Sequence, residues 1–120
     1  SLEELANGHW QSIIEDPTVS RRRKKVTRLI LCSGKVFVDL SNSDLRAKAT
    51  EVAVTRVEQL YPFPIIDIEP LVTQYPNLEE IVWLQEEPAN MGAWSFAQPL
   101  LLEMLAGKLP LRYIGRARPI

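Results

Sequence analysis

The chain has little nucleophilic, metal-binding or disulfide chemistry to offer: one cysteine, Cys32, and one histidine, His9, in 120 residues. A lone cysteine excludes an internal disulfide, and its place inside the apolar run VTRLILCS suits core packing in a reducing compartment. His9 lies in the weakly patterned start of the chain and Cys32 in a strand-like run without an adjacent base, so covalent catalysis finds little support. Excess charge of one sign is also missing. With 14 Lys and Arg against 15 Asp and Glu, the net charge of −1 gives no attraction to a polyanion and sets nucleic acid aside as a partner. No apolar run approaches the roughly 20 residues of a membrane span, and the start SLEELANGHW lacks the apolar centre of a signal peptide. The chain reads as soluble, with no membrane partner, no internal repeat and no low-complexity segment.

What is present suffices for one core. At 46% hydrophobic content, a domain of this size hides roughly two-thirds of its unfolded surface. Residues 1–25 stand apart, because ELANGHWQSIIEDPTVS has a weak apolar pattern and is followed by the basic run Arg21 to Lys25. They are expected to be a solvated linker, with the α/β domain occupying 26–120.

From Val26 the pattern is regular. VTRLILCS reads as a buried strand closed by Gly34, and Lys35 to Lys48 places Val36, Phe37, Leu40, Leu45 and Ala47 at helical spacing. Val52 to Val57 is a second strand, ended near Glu58 by two prolines whose missing N–H groups cannot serve a central ladder. Asp67 is placed to cap a short helix from Ile68 to about Gln74, with Pro70 in its first turn and Ile68, Leu71, Val72 and Tyr75 as its apolar face. EIVWLQE is nearly continuously apolar, as a parallel strand covered on both faces would be. Leu100 to Ala106 is expected to be a helix started by Pro99 and ended by Gly107; a start near Gly92 would put Pro99 inside it. Leu111 to Ile114 is a candidate fourth strand. Alternating strands and helices call for an α/β fold, a three-layer sandwich around a mostly parallel sheet.

In such a sheet the loops at the carboxyl ends of the strands form the functional edge. Four segments qualify: Ser33 to Lys35, Glu58 to Phe63, Glu86 to Trp94, and Gly115 onward. Ser33, Gly34 and Lys35 present backbone N–H groups at a helix start, an arrangement that attracts anions, although a simple tight turn is the plainer reading. Glu58, Glu86 and Glu87 approach the same edge with Arg56 and Arg112 as possible ion-pair partners. Three carboxylates suit a hard cation, but no His or Asp joins them, so ion pairs that fix the loops are the better explanation. Tyr61, Phe63, Met91, Trp94 and Phe96 crowd the edge too. Two roles are open to them, capping this domain's own core or meeting another protein surface.

The runs LCSGKVFVDL (Leu31 to Leu40), VAVTRVEQLYPFP (Val52 to Pro64) and YPNLEEIVWLQEEPANMGAW (Tyr75 to Trp94), in this order and at these separations, carry a specific resemblance. The chain resembles the carboxy-terminal domain of the thiamine-diphosphate-dependent decarboxylating component of 2-oxoglutarate dehydrogenase, a transketolase C-terminal-domain-like fold. The resemblance implies a parent oxidoreductase of the tricarboxylic acid cycle that decarboxylates 2-oxoglutarate with thiamine diphosphate and Mg²⁺ and passes succinyl to a lipoyl group. It places the cofactor and catalytic residues in earlier domains, so none is carried onto this sequence and the 120 residues alone are expected to be inactive. The implied role is dimer assembly and support of the active-site entrance, carried by Leu60, Tyr61, Pro62, Phe63 and Pro64 and by Gln85, Glu86, Glu87, Asn90, Met91, Gly92 and Trp94. Implied partners are the preceding domains, a homodimer partner and the lipoyl-bearing succinyltransferase, in the cytoplasm if bacterial and the mitochondrial matrix if eukaryotic. Some relatives bind acetyl-CoA as an activator, for which Ser33, Gly34, Lys35 and Arg112 are the candidate phosphate partners; a nucleotide- or acetyl-CoA-binding regulatory module is the alternative reading. The tail GRARPI departs from the family pattern.

Overall fold

Four apolar, β-rich runs assemble into the parallel part of a five-stranded sheet. The structure is a computed structural model and describes residues 11–32, 50–86 and 92–115. Its elements in chain order are β1 (Ile13–Glu15), β2 (Arg28–Cys32), β3 (Val52–Val57), α1 (Ile65–Gln74), β4 (Glu80–Gln85), α2 (Trp94–Leu105) and β5 (Leu111–Gly115), with two 3-10 turns at Val19–Arg21 and Arg23–Lys25. The strands lie in the order β1-β3-β2-β4-β5. β1 runs antiparallel to β3, and every other pairing is parallel.

The helical connections β3-α1-β4 and β4-α2-β5 both step towards β5. Right-handed crossovers therefore place α1 and α2 on one face of the sheet, where they pack together. Leu29 and Leu31 of β2, Ala53 and Val57 of β3, and Ile81 and Trp83 of β4 point to that face and meet Ile68, Leu71, Tyr75, Ala97, Leu101 and Leu105. The intervening residues Cys32, Val54 and Val82 are buried on the other face. Burial on both faces is what a three-layer sandwich requires of its central sheet. The helix expected over Lys35 to Lys48 lies outside the described residues.

The expected linker needs correction. Residues 13–15 add an antiparallel strand beside β3, and Val19 joins the core. Asp16 explains how a weakly apolar segment is held: its Oδ1 accepts the Thr18 N–H at 2.9 Å and the Thr18 hydroxyl at 2.8 Å, while Oδ2 takes Arg22 Nη2 at 2.7 Å. Arg22 Nη1 also donates to the carbonyls of Thr50 and Val52, at 2.9 and 2.7 Å. One arginine of a run read as solvated thus clamps Asp16 and Thr18 to the start of β3.

Both helices begin earlier than their prolines suggest. In α1 the Pro64 carbonyl accepts the N–H groups of Asp67 and Ile68, at 3.1 and 3.0 Å, so Asp67 sits in the first turn; its carboxylate accepts the Ser12 hydroxyl instead. Pro70 falls inside α1 and Pro99 inside α2. Both lie on the exposed side, where water can serve the Ile66 and Ser95 carbonyls that lose a helical donor. Helix α2 ends with Ala106 and Gly107 in left-handed conformation, at φ 49° and 76°, the turn for which glycine was expected.

Tyr75, expected on the apolar face of α1, is buried there, and its phenol is pushed up to about 12, first by burial and then by the Glu15 carboxylate. Between pH 10 and 12 the unfolded chain releases this proton while the folded chain keeps it. Stability should therefore fall as pH rises through that window, by at most about 1.4 kcal/mol per pH unit. Urea unfolding of the chain and of Tyr75→Phe at pH 9 and 11 checks this. A loss of equal size in both proteins would show that Tyr75 is not its source.

Candidate functional site

The carboxyl ends of β2, β3, β4 and β5 fall on one edge, from which the loop Glu58–Pro64 leaves after β3 and Glu86 after β4. The first loop is tied down at its start. The Ser12 carbonyl, just before β1, accepts the N–H groups of Glu58 and Gln59 at 2.7 and 3.1 Å, Glu58 pairs with Arg56 at 2.6 Å, and Gln59 Nε2 donates to the Pro62 carbonyl at 2.8 Å. The Tyr61-Pro62 peptide is cis.

Aromatic rings join this loop to the rest of the edge. Phe63 lies against Trp83 of β4 with centroids 5.8 Å apart and meets Phe96 of α2 edge-on at 6.3 Å. Tyr61 sits edge-on to Phe96 at 5.8 Å, yet remains 86% exposed. Trp94, at the start of α2, stacks at a tilt on Tyr113 of β5, 5.3 Å away. Phe63 and Trp94 thus work largely as internal packing, and Tyr61 as a presented ring.

Gln85 turns inward. It is 3% exposed, and its Oε1 accepts both the indole N–H of Trp83 at 2.8 Å and the backbone N–H of Trp94 at 3.1 Å. One amide therefore fixes the end of β4 and satisfies one of the free N–H groups at the start of α2. Gly92, at φ 68°, supplies the left-handed turn before that helix. Gln85→Leu keeps the bulk but leaves two donors without this acceptor, and is expected to cost about 2–3 kcal/mol. Chemical unfolding gives the cost, and a change below about 0.5 kcal/mol would mean that other acceptors replace it.

Of the residues assigned to the edge from sequence, Leu60 and Phe63 are half-buried against the core and Pro64 is buried. Tyr61, Pro62, Glu86 and Gly92 are exposed. Glu87, Asn90 and Met91 lie outside the described residues, as do Ser33, Gly34 and Lys35. Among the described residues no three His, Cys, Asp or Glu side chains gather as a metal site.

Arg112 belongs elsewhere. It shares Glu80 with Arg28, at 3.2 Å from Arg112 Nη2, near the amino ends of β2, β4 and β5. The last residue of β2, Cys32, is level with Leu84 and Ile114, two residues beyond Arg112 along β5 and two strands away. That amounts to about 7 Å along the sheet and about 10 Å across it. The expected ion pairing of Arg112 with Glu58 or Glu86 does not occur.

The clamp of Asp16 and Arg22 and the ring of Tyr113 were missed by sequence reasoning. Asp16-Pro17-Thr18 did carry a signal, since Asp before Pro and Thr favours a side-chain-capped turn. Nothing local marked Arg22 among four other basic residues.

The family model for the 2-oxoglutarate dehydrogenase C-terminal region matches residues 1–119. Among curated relatives, the 2-oxoglutarate dehydrogenase E1 component of Bacillus pumilus is 45% identical over 119 residues, and that of Bacillus subtilis 43% over 119 residues; each alignment covers 98% of this chain and 13% of the relative. The same component from Cupriavidus necator is 44% identical over 115 residues, 96% of this chain and 12% of the relative. The chain thus spans about an eighth of the length of these relatives.

Proposed function

Because this chain belongs to the 2-oxoglutarate dehydrogenase C-terminal family, we propose that it serves a longer decarboxylating subunit as its carboxy-terminal assembly domain. That subunit decarboxylates 2-oxoglutarate with thiamine diphosphate and Mg²⁺ and transfers succinyl to the lipoyl group of the succinyltransferase component. The domain supports dimerisation and one wall of the active-site entrance. The family match along the chain carries this reading. Tyr61 supports it, as an aromatic ring held by Phe96 and left 86% exposed on the sheet's functional edge.

The described residues do not fit the cofactor. They offer no cluster of three metal-ligating side chains, and at the edge Gln85 is engaged with Trp83 and Trp94 and Glu58 with Arg56, while Glu86 faces solvent. No chemical step is assigned to this chain. It acts by holding the Leu60–Pro64 loop and the end of β4 in fixed relation.

The 120 residues alone should neither bind thiamine diphosphate nor release CO₂ from 2-oxoglutarate. Titration calorimetry and a decarboxylation assay test this, and binding or turnover by the isolated chain would overturn the reading. In the full-length subunit, Tyr61→Ala should weaken the dimer in sedimentation. An unchanged dimer would remove Tyr61 from the interface. No described residue of the edge favours the nucleotide or acetyl-CoA alternative, since Arg112 is held by Glu80.

A further inference from the structure

Helices α1 and α2 cover the sheet with one side and leave an apolar cleft of ≈ 590 Å³ on the other, lined by Pro62, Phe63, Ile65, Leu100 and Met104 with Glu69 and Glu103. Around it the surface is unusually apolar for water-facing helix. Ile66, next to the lining residue Ile65, is 87% exposed and Leu100 38%, and Tyr61, next to Pro62, continues the patch onto the edge loop. Exposed apolar groups in such proximity mark a surface that another protein covers.

The charges around the cleft say what kind of surface. Its lining holds Glu69 and Glu103 and no basic residue, a local charge of −2, and α1 and α2 contain not one Lys, Arg or His. Among the described residues the positive charges lie on Arg21–Lys25, Arg28, Arg56, Lys108 and Arg112, none of which lines the cleft. Neither Glu69 nor Glu103 has an ion-pair partner among the described salt bridges. An apolar floor with an unneutralised acidic rim complements an apolar segment bordered by Lys or Arg, which docks its hydrophobic side and neutralises the rim.

We propose that this cleft receives such a basic-rimmed, amphipathic segment from the part of the same polypeptide that makes up the remaining length of the relatives. The proposal rests on the assembly-domain reading and adds the surface, the chemistry of its occupant and its source. The relatives are about eight times longer than this chain, so the intrachain neighbour is present at high effective concentration and a modest cleft suffices to hold it.

The test uses the full-length subunit, with hydrogen exchange and zero-length carbodiimide coupling of carboxylates to lysines, on mixed isotope-labelled and unlabelled dimers. Glu69 and Glu103 should couple to lysines preceding this domain within one polypeptide. The pair Glu69→Lys with Glu103→Lys should speed exchange of α1 and α2 by about tenfold, and Ile66→Glu should do the same. These positions are exposed or at the cleft rim, so folding of the domain should survive. Coupling only to the second polypeptide, or only to lysines within residues 1–120, would overturn the proposal. So would exchange of α1 and α2 that none of these variants alters. Protection confined to the loop Glu58–Pro64 and to Gln85 and Glu86 would sink this inference and leave the assembly reading standing; an unprotected edge as well would sink both.

Discussion

Trp83→Ala is expected to lower the unfolding free energy by about 3–5 kcal/mol, a large part of the stability of a domain this small. Trp83 is fully buried at the centre of β4, where its ring is packed between the sheet and α1 and α2, and truncation leaves a cavity that the close-packed strands cannot collapse. Two further losses follow from its neighbours. Its indole N–H no longer reaches Gln85, and Phe63 loses the ring 5.8 Å away on which the Leu60–Pro64 loop is seated. Unfolding in urea measures the first effect. Hydrogen exchange measures the second, and residues 58–64 should exchange faster in the variant than α1 does. Trp83→Phe separates the contributions, because it keeps the aromatic packing and deletes the N–H; it should cost about 1–2 kcal/mol. If the alanine variant loosened the loop no more than α1, Trp83 would be a core residue with no hold on the edge.

Arg22→Met should cost about 3–5 kcal/mol, because it takes the cationic partner from the Asp16 carboxylate, whose side chain is 3% exposed. The arginine's four hydrogen bonds reach Asp16, Thr18, Thr50 and Val52, so its removal also deprives the start of β3 of a charged donor. The pair is not a net source of stability in the same measure. Replacing both residues, Asp16→Leu with Arg22→Met, should recover much of the loss, since neither desolvated charge remains. A double-mutant cycle by chemical unfolding measures the coupling, which should exceed about 1.5 kcal/mol. Additive single losses would show that the two residues do not act as a pair. The effect reaches the site through β1: the Ser12 carbonyl that receives the N–H groups of Glu58 and Gln59 is held in place only while residues 11–22 stay docked.

The strand pattern was legible in β2, β3 and β4 because burial on both faces leaves a mark in the residues themselves, and in the edge strand β5 because Leu111 and Tyr113 keep one half-buried face. Arg28–Cys32, Val52–Val57, Glu80–Gln85 and Leu111–Gly115 fall within a residue or two of the expected runs. The apolar face of α1, Ile68, Leu71 and Tyr75, was legible for the same reason. Helix starts were not. Pro70 and Pro99 point to first-turn positions on local rules, whereas their exposed placement makes them tolerable inside a helix whose other side is anchored in the core. β1 escaped notice because three residues at a sheet edge carry no period long enough to read. Its place depends on β3, remote in sequence, and on the clamp that Arg22 makes with Asp16 and the start of β3.

The sequence by itself determined the family, the alternation of strands and helices, and the edge on which LYPFP and the start of QEEPANMGAW lie, since each of these is written in local runs and their order. Only the tertiary structure decided what the residues of that edge do. Gln85 looks like a surface polar group until β4 and α2 meet around it, and Tyr61 and Phe63 are equivalent aromatics until Trp83 and Phe96 bury one and leave the other in water. Arg112 looked like a partner for the edge until the register of β5 set it beside Glu80. Burial and ion pairing are properties of distances between residues far apart in the chain, and those distances exist only once the sheet is formed.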